Sequence, residues 1–283
     1  RPTIAARSKM PTLRLLPLLL LLTPHDAMCK RKGLHRAAEE GDLAPLKVAI
    51  EGRYDEYEGE WRRPDLDAPN SKGRVPLHLA VCNHRRDLEA VKALLDKGAG
   101  AGTFDGAGET PLHLVARGCG NERQAGWDSG MSAVPSPTQV ARLLLKHGAD
   151  IDAAAKNEEA LTPLHHAAGR GSAKLVEVLL GKGASVDSAD ASGATPLHHA
   201  ARAGLAGTVL ALVKAGADPA KVDGDGKTAR DAVTGRDSAS SSIRAHLDGA
   251  SKIFADALEE REQAKREGGG AKKKKSSSTK AEL

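Results

Sequence analysis

One four-residue phrase recurs along this chain: Val75-Pro76-Leu77-His78, Thr110-Pro111-Leu112-His113, Thr162-Pro163-Leu164-His165 and Thr195-Pro196-Leu197-His198. Its starts lie 35, 52 and 33 residues apart, and 33 residues further on stands Gly226-Lys227-Thr228. Repetition in register at such a period argues for a stack of similar short units, each leaning on its neighbours, in place of one closed core. Each phrase is followed by small apolar residues, a Gly or polar turn and a Leu/Val-rich stretch such as 176–180. A Gly-Ala pair then closes the unit, as at Gly148-Ala149, Gly183-Ala184 and Gly216-Ala217.

The phrase has a local physical meaning. Thr110 supplies an N-cap hydroxyl, and Pro111 stands where a helix's first N–H has no partner to lose, so a helix is expected to start at each copy. Val140, Leu143 and Leu144 give a second helix its buried side at spacings of three and four, and Gly148 suits a C-cap of positive φ. Two short antiparallel helices per unit cannot bury their apolar sides alone, so about three stacked units are the usual minimum.

On these residues the chain resembles the ankyrin repeat family, whose Thr-Pro-Leu-His-x-Ala signature and period of 33 it carries over roughly residues 34–248. The resemblance implies an all-α solenoid of about six helix-pair units joined by short hairpins. The first unit, from Leu34 through Ile50, lacks the Thr-Pro entry, as suits a cap. The last, from Gly226 through Leu247, puts Ala229-Arg230-Asp231 where Pro-Leu-His is expected, like a polar closing repeat. Domain organisation follows: residues 1–33 a leader or disordered segment, 34–250 the array, 251–267 a C-terminal helix and 268–283 a basic disordered tail. Two polar stretches break the period and are expected to be surface loops, 53–63 (RYDEYEGEWRR) and 117–137 (RGCGNERQAGWDSGMSAVPSP).

Composition agrees with a stack. Of 283 residues only two each are Phe, Trp and Tyr, so Leu, Val and Ala must fill the interior. The net charge of +5 is uneven: residues 1–33 carry +6, 251–283 carry +3, and the segment between them carries −4. A basic protein made for nucleic acid is therefore not indicated; the ordered part is mildly acidic. Cys29, Cys82 and Cys119 are odd in number and widely spaced, which suggests no disulfide framework and no zinc knuckle, and makes a reducing compartment the default.

Cytoplasmic or nuclear residence is the matching expectation. The apolar run 15–22 is far too short to span a bilayer, and no transmembrane segment is expected. Read from Met10 it forms a short signal peptide with a poor cleavage site at His25-Asp26-Ala27, which would place the chain in the secretory pathway; read from Met28, translation leads directly into the first unit. The final Lys280-Ala281-Glu282-Leu283 matches an endoplasmic-reticulum retention signal only loosely. The run 272–275 has the composition of a nuclear import signal, but a solvated basic tail is the commoner reading of such a run.

Catalytic motifs are missing from the sequence. Gly226-Lys227-Thr228 resembles the end of a phosphate loop, but five residues before Gly226 stands Lys221 where a Gly is required. His166 and His199, one repeat apart, lack a Cys or acid companion in sequence, so no metal site or cofactor is expected. In the ankyrin pattern the first His of each phrase bonds to the backbone of the next hairpin, which gives His78, His113, His165 and His198 a structural role.

What the resemblance implies is a non-enzymatic module that binds another protein, as an adaptor or scaffold acting as a monomer, on a concave surface of hairpin tips and inner-helix ends. Transferred by position, the tip residues include Lys72, Arg74, Phe104, Glu109, Glu158, Glu159, Leu161 and Ser192, with Arg117, Arg170 and Arg202 at the helix ends. Tyr54, Tyr57 and Trp61 in the first insertion and Trp127 in the second add aromatic anchors of the kind that dominate interfaces, although the first three serve equally well to cap the array. A different class of function is a regulatory or substrate-recognition subunit whose basic tail contacts nucleic acid or membrane. Nucleic-acid binding of that kind would collapse between low and moderate salt and vanish on removing residues 268–283.

Overall fold

The computed structural model describes residues 33–55, 60–62, 64–83, 88–119, 136–235 and 240–252. In chain order it forms α1 (33–40), α2 (Leu43–Glu51), β1 (Arg53–Asp55), β2 (Glu60–Arg62), α3 (Pro76–Cys82), α4 (Leu88–Asp96), α5 (Pro111–Arg117) and α6 (Pro137–Lys146). There follow α7 (Pro163–Arg170), α8 (Ala173–Gly181), α9 (Pro196–Arg202), α10 (Ala206–Lys214) and α11 (240–252). The inner helices α3, α5, α7 and α9 pack side by side in one layer, and α2, α4, α6, α8 and α10 pack in a second.

Every inner helix starts as its sequence dictates. Thr110, Thr162 and Thr195 sit in extended backbone with Pro next and His at the third helical position. Gly118 and Gly171 end α5 and α7 in the left-handed region that a Cβ disfavours. Between the two layers runs one continuous core in which Leu46, Leu77, Leu94, Leu112, Leu144, Leu164, Leu179, Leu197, Leu212 and Ile243 are fully buried. At roughly 1.5–3 kcal/mol for each Leu removed from water, leucines shared between units account for stacking without aromatic side chains.

Three parts of the fold differ from the sequence expectation. The first insertion is not wholly loop: β1 and β2 pair antiparallel with Arg53 opposite Arg62, Tyr54 opposite Trp61 and Asp55 opposite Glu60. Tyr and Trp favour strands, and an alternating polar-aromatic stretch that folds back on itself has cross-strand partners available. In the sixth unit the first helix is reduced to turns over 229–232. Without Pro-Leu-His, the capping contact survives, with Thr228 donating from N and Oγ1 to Asp231 Oδ2 at 3.0 and 2.7 Å, together with one turn closed by Ala232 N on Thr228 O at 3.1 Å.

The cysteines are the third difference. Cys82 and Cys119, separated by 37 residues and with Cα atoms 5.2 Å apart, form a disulfide, which corrects the expectation of unpaired thiols. Stacking accounts for it: Cys82 ends α3, Cys119 lies two residues past α5, and these helices are neighbours. Most of the second insertion, Trp127 included, and the sequence beyond residue 252 lie outside the described residues, as does Tyr57. Of the expected helix over 251–267, residues 251 and 252 continue α11 without a break. Among the described residues no helix is long and apolar enough to cross a membrane.

Candidate functional site

Each hairpin is closed by an Asn or Asp five residues before the Thr or Val that starts the phrase. Asn70 Oδ1 accepts the N–H groups of Lys72 and Arg74, Asp105 those of Ala107 and Glu109, Asp190 those of Ser192 and Ala194, and Asp223 those of Asp225 and Lys227, all within 2.8–3.0 Å. Neighbouring hairpins touch through backbone: Gly224 N donates to Ser192 O at 2.7 Å, and a Cβ on Gly73 would lie 2.5 Å from Gly106 N. The tips thus form one continuous edge with fixed spacing between units.

A ladder of histidines ties that edge to the inner helices. The Nδ1 of His113, His165 and His198 accepts from the N–H and Oγ1–H of Thr110, Thr162 and Thr195, so the ring proton is on Nε2. That N–H donates to the next hairpin, at Leu161 O (2.9 Å), Ala194 O (3.1 Å) and Lys227 O (3.0 Å). His78 reaches Glu109 O at 3.1 Å, but Val75 has no hydroxyl to offer and His78 Nδ1 is left without a partner. Burial lowers the pKa of His78 and His113, and burial together with the nearby His199 lowers that of His165 to about 4. These rings are neutral, and the structural role implied by the family pattern is the one they perform.

Two of the expected tip residues, Glu109 and Leu161, are buried, and the carbonyl of each accepts from the preceding unit's His; Lys227, whose carbonyl does the same, is exposed. Ala194, which the same transfer by position also puts at a tip, is fully buried at the equivalent place. The Gly226-Lys227-Thr228 stretch resolves likewise: it forms the last hairpin, where Lys227 O receives the His198 bond.

Buried Glu109 makes a polar cluster on the inner layer. Its Oε2 lies 2.9 Å from Arg117 Nη2, and its Oε1 lies 3.6 Å from His166 Nε2. Burial raises the carboxyl's pKa against the opposing pull of Arg117, while burial, with His113 and Arg117 close by, takes His166 down to about 3. One unit on, His199 Nε2 meets Asp190 Oδ2 at 2.7 Å; burial opposes ionisation of that carboxyl, and the bonds from His199 and Ser192 outweigh it, so its pKa is lowered. His166 and His199 therefore each have an acid companion, contrary to the expectation from sequence, and each packs edge-on against the preceding unit's first His. Among the described residues no group of three or more His, Cys, Asp or Glu could hold a metal ion.

The remaining expected residues divide by exposure. Lys72, Glu158, Glu159, Arg170, Ser192 and Arg202 are exposed. Arg74 is half-buried with Nε 3.4 Å from Asp105 Oδ2, and Phe104 is half-buried with Lys156 Nζ 3.9 Å from its ring centre, so both also join one hairpin to the next. Tyr54 and Trp61 occupy paired positions on β1 and β2.

With this geometry in place, the comparisons fall into line. The family model described as ankyrin repeats (3 copies) matches residues 34–125 and 130–223. Similar proteins include human ankyrin repeat and SOCS box protein 16, 35% identical over 130 residues (45% of this chain, 24% of that protein), and human B-cell lymphoma 3 protein, 30% identical over 200 residues (67% and 40%). The chain thus spans well under half the length of either relative. Among solved structures, an ankyrin repeat domain from Acinetobacter baumannii superposes with TM-score 0.59 at 26% identity, covering 77% of this chain and 96% of that one. A chain in the complex of the Bd0816 predatory endopeptidase from Bdellovibrio bacteriovorus with immunity protein Bd3460 gives TM-score 0.57 at 28% identity, covering 75% and 96%.

Proposed function

The chain belongs to the ankyrin repeat family, and on that premise we propose that it is an adaptor or scaffold holding a partner protein against its hairpin tips and inner-helix ends. Ankyrin repeats are in general protein–protein interaction modules. The observation that carries the reading is a division of labour inside the repeat. The recurring Thr, Pro, Leu and His are buried or bonded within the stack, whereas the tip residues Lys72, Glu159 and Ser192, which differ in kind from unit to unit, are exposed, as are Arg170 and Arg202 at the helix ends. Side chains not needed for stacking are free to vary with a partner. Likeness to a chain from a two-protein complex supports the same reading.

Site-specific photo-crosslinking tests it. A crosslinking residue replacing Ser192 or Lys72 in the full chain is expected to trap a defined partner protein, and one replacing Leu210, exposed on outer helix α10, is expected not to. Trapping of that partner only from Leu210 would put the binding surface on the wrong side and end the proposal.

A further inference from the structure

Resting on that reading of the surface, we infer that the ends of α5, α7 and α9 take an acidic segment of the partner. These adjacent inner helices close on Arg117, Arg170 and Arg202 in their last turns. Packed helices lie about 8–10 Å apart, so the last turns of three neighbours bring these arginines to one edge of the inner layer. Two features place them. Arg117 is held at 2.9 Å by buried Glu109. Arg170 reaches back over the end of α5, where a Cβ on Gly118 would stand 3.0 Å from its Nη2. Among the described residues, no ion pair involves the exposed Arg170 or Arg202, and Arg117 keeps a buried Nε without a hydrogen-bond partner.

Charge selects the occupant. The opposite edge of the surface, at the hairpin tips, is mixed in charge: exposed Glu158 and Glu159 stand with exposed Lys72 and Lys156, and Asp225 is paired with Lys227 at 3.2 Å. A segment with carboxylates along one side meets its bases at the helix ends. Acids seven apart on a helix, about 10.5 Å, share one side and match the distance between neighbouring helices. Guanidinium groups bind carboxylates through paired N–H donors, which suits arginine here. Arginine at a helix end also complements the helix dipole without any partner. Stability and binding therefore have to be read separately.

The test uses the full chain and a fluorescein-labelled 18-residue Ala/Gln peptide bearing Glu at positions 2, 9 and 16, with a Lys peptide of the same design and an 18-nucleotide single-stranded DNA as competitors. Fluorescence anisotropy is expected to show binding of the Glu peptide that weakens between 50 and 300 mM salt and falls at least tenfold in R170E/R202E, while the Lys peptide does not compete. R170Q/R202Q, which keeps side-chain length and removes only charge, is expected to show the same direction of effect with an unchanged thermal midpoint. Equal affinity of both double variants and the parent, displacement by the Lys peptide, or displacement by the DNA at lower concentration than by unlabelled Glu peptide would each overturn the inference. The broader reading fails separately: a partner trapped from Ser192 but bound equally by R170Q/R202Q removes the acidic segment and leaves the surface standing.

Discussion

Ala160 occupies a place that the other hairpins give to glycine. Two residues before each phrase start, Gly73, Gly108, Gly193 and Gly226 have φ between 70 and 77°, and Ala160 has φ 49°. The turn demands this: Asn157 Oδ1 accepts from the N–H groups of Glu159 and Ala160, and closing that turn leaves the residue before Leu161 in the left-handed region. An L-residue there costs roughly 1–2 kcal/mol, of which glycine's extra freedom in the unfolded chain takes back about 0.4–1. Ala160→Gly is therefore expected to stabilise the protein by about 0.5–1 kcal/mol, read from the urea midpoint; a lower midpoint would show that the hairpin does not strain its alanine. At this scale the sequence is informative where chemistry repeats: the Thr and the Pro can each be given a capping role from local chemistry, and the His takes its role from the ankyrin pattern. It is misleading where a backbone atom carries the role. Glu109 has a charged side chain and looks solvent-facing, yet it is buried, with its carbonyl accepting from His78 and its carboxylate against Arg117.

Elements inherit this logic, because an inner helix is tied to the next unit through a neutral histidine. Protonating His113 or His165 would put a proton on the Nδ1 that already accepts from a backbone N–H and a hydroxyl, within a site where burial disfavours charge. Their folded pKa values lie below the unfolded value near 6.5, so between the two values the unfolded chain binds more protons. The stabilisation is fully present above about pH 6.5 and is lost as the pH falls toward about 4 for His165, with His166 extending the loss toward about 3. Urea midpoints measured at pH 7.5, 5.5 and 4.5 are expected to fall steadily. His166→Leu, which installs the residue that α3 and α5 carry at this position as Leu79 and Leu114, is expected to flatten the fall below pH 5.5. A midpoint independent of pH over this range would mean that the rings accommodate charge. Helix starts and the boundaries of the second insertion, at Arg117 and Pro137, are legible from sequence because capping is local. The β1–β2 ladder is less so, since a short aromatic stretch reads as loop until its two halves are seen to pair.

Across the whole molecule, stability in a stack is a sum of unit terms and nearest-neighbour terms, so a cross-link acts on the units it joins and little further. The disulfide joins the second unit to the third at the ends of α3 and α5, beside the Arg117–Glu109 pair. No spacing rule finds it from sequence, because Cys82 and Cys119 meet only once two repeats have stacked. Closing a 37-residue separation restricts the unfolded chain by roughly 3–4 kcal/mol in the chain-entropy account. Under reduction, that term is removed from the N-terminal half alone. Hydrogen exchange of the full chain is therefore expected to quicken in α3, α4, α5 and α6 on adding dithiothreitol and to stay unchanged in α8, α9 and α10. Cys82→Ser, measured without reductant, is expected to reproduce the same pattern. Uniform quickening through α10 would show that the array unfolds as one cooperative body. No change in α3–α6 would show that the bond contributes nothing to the stacking of the units it joins. With either result, the protection of α9 indicates whether the row of arginines on α5, α7 and α9 is held by its own neighbours or depends on the far end of the stack.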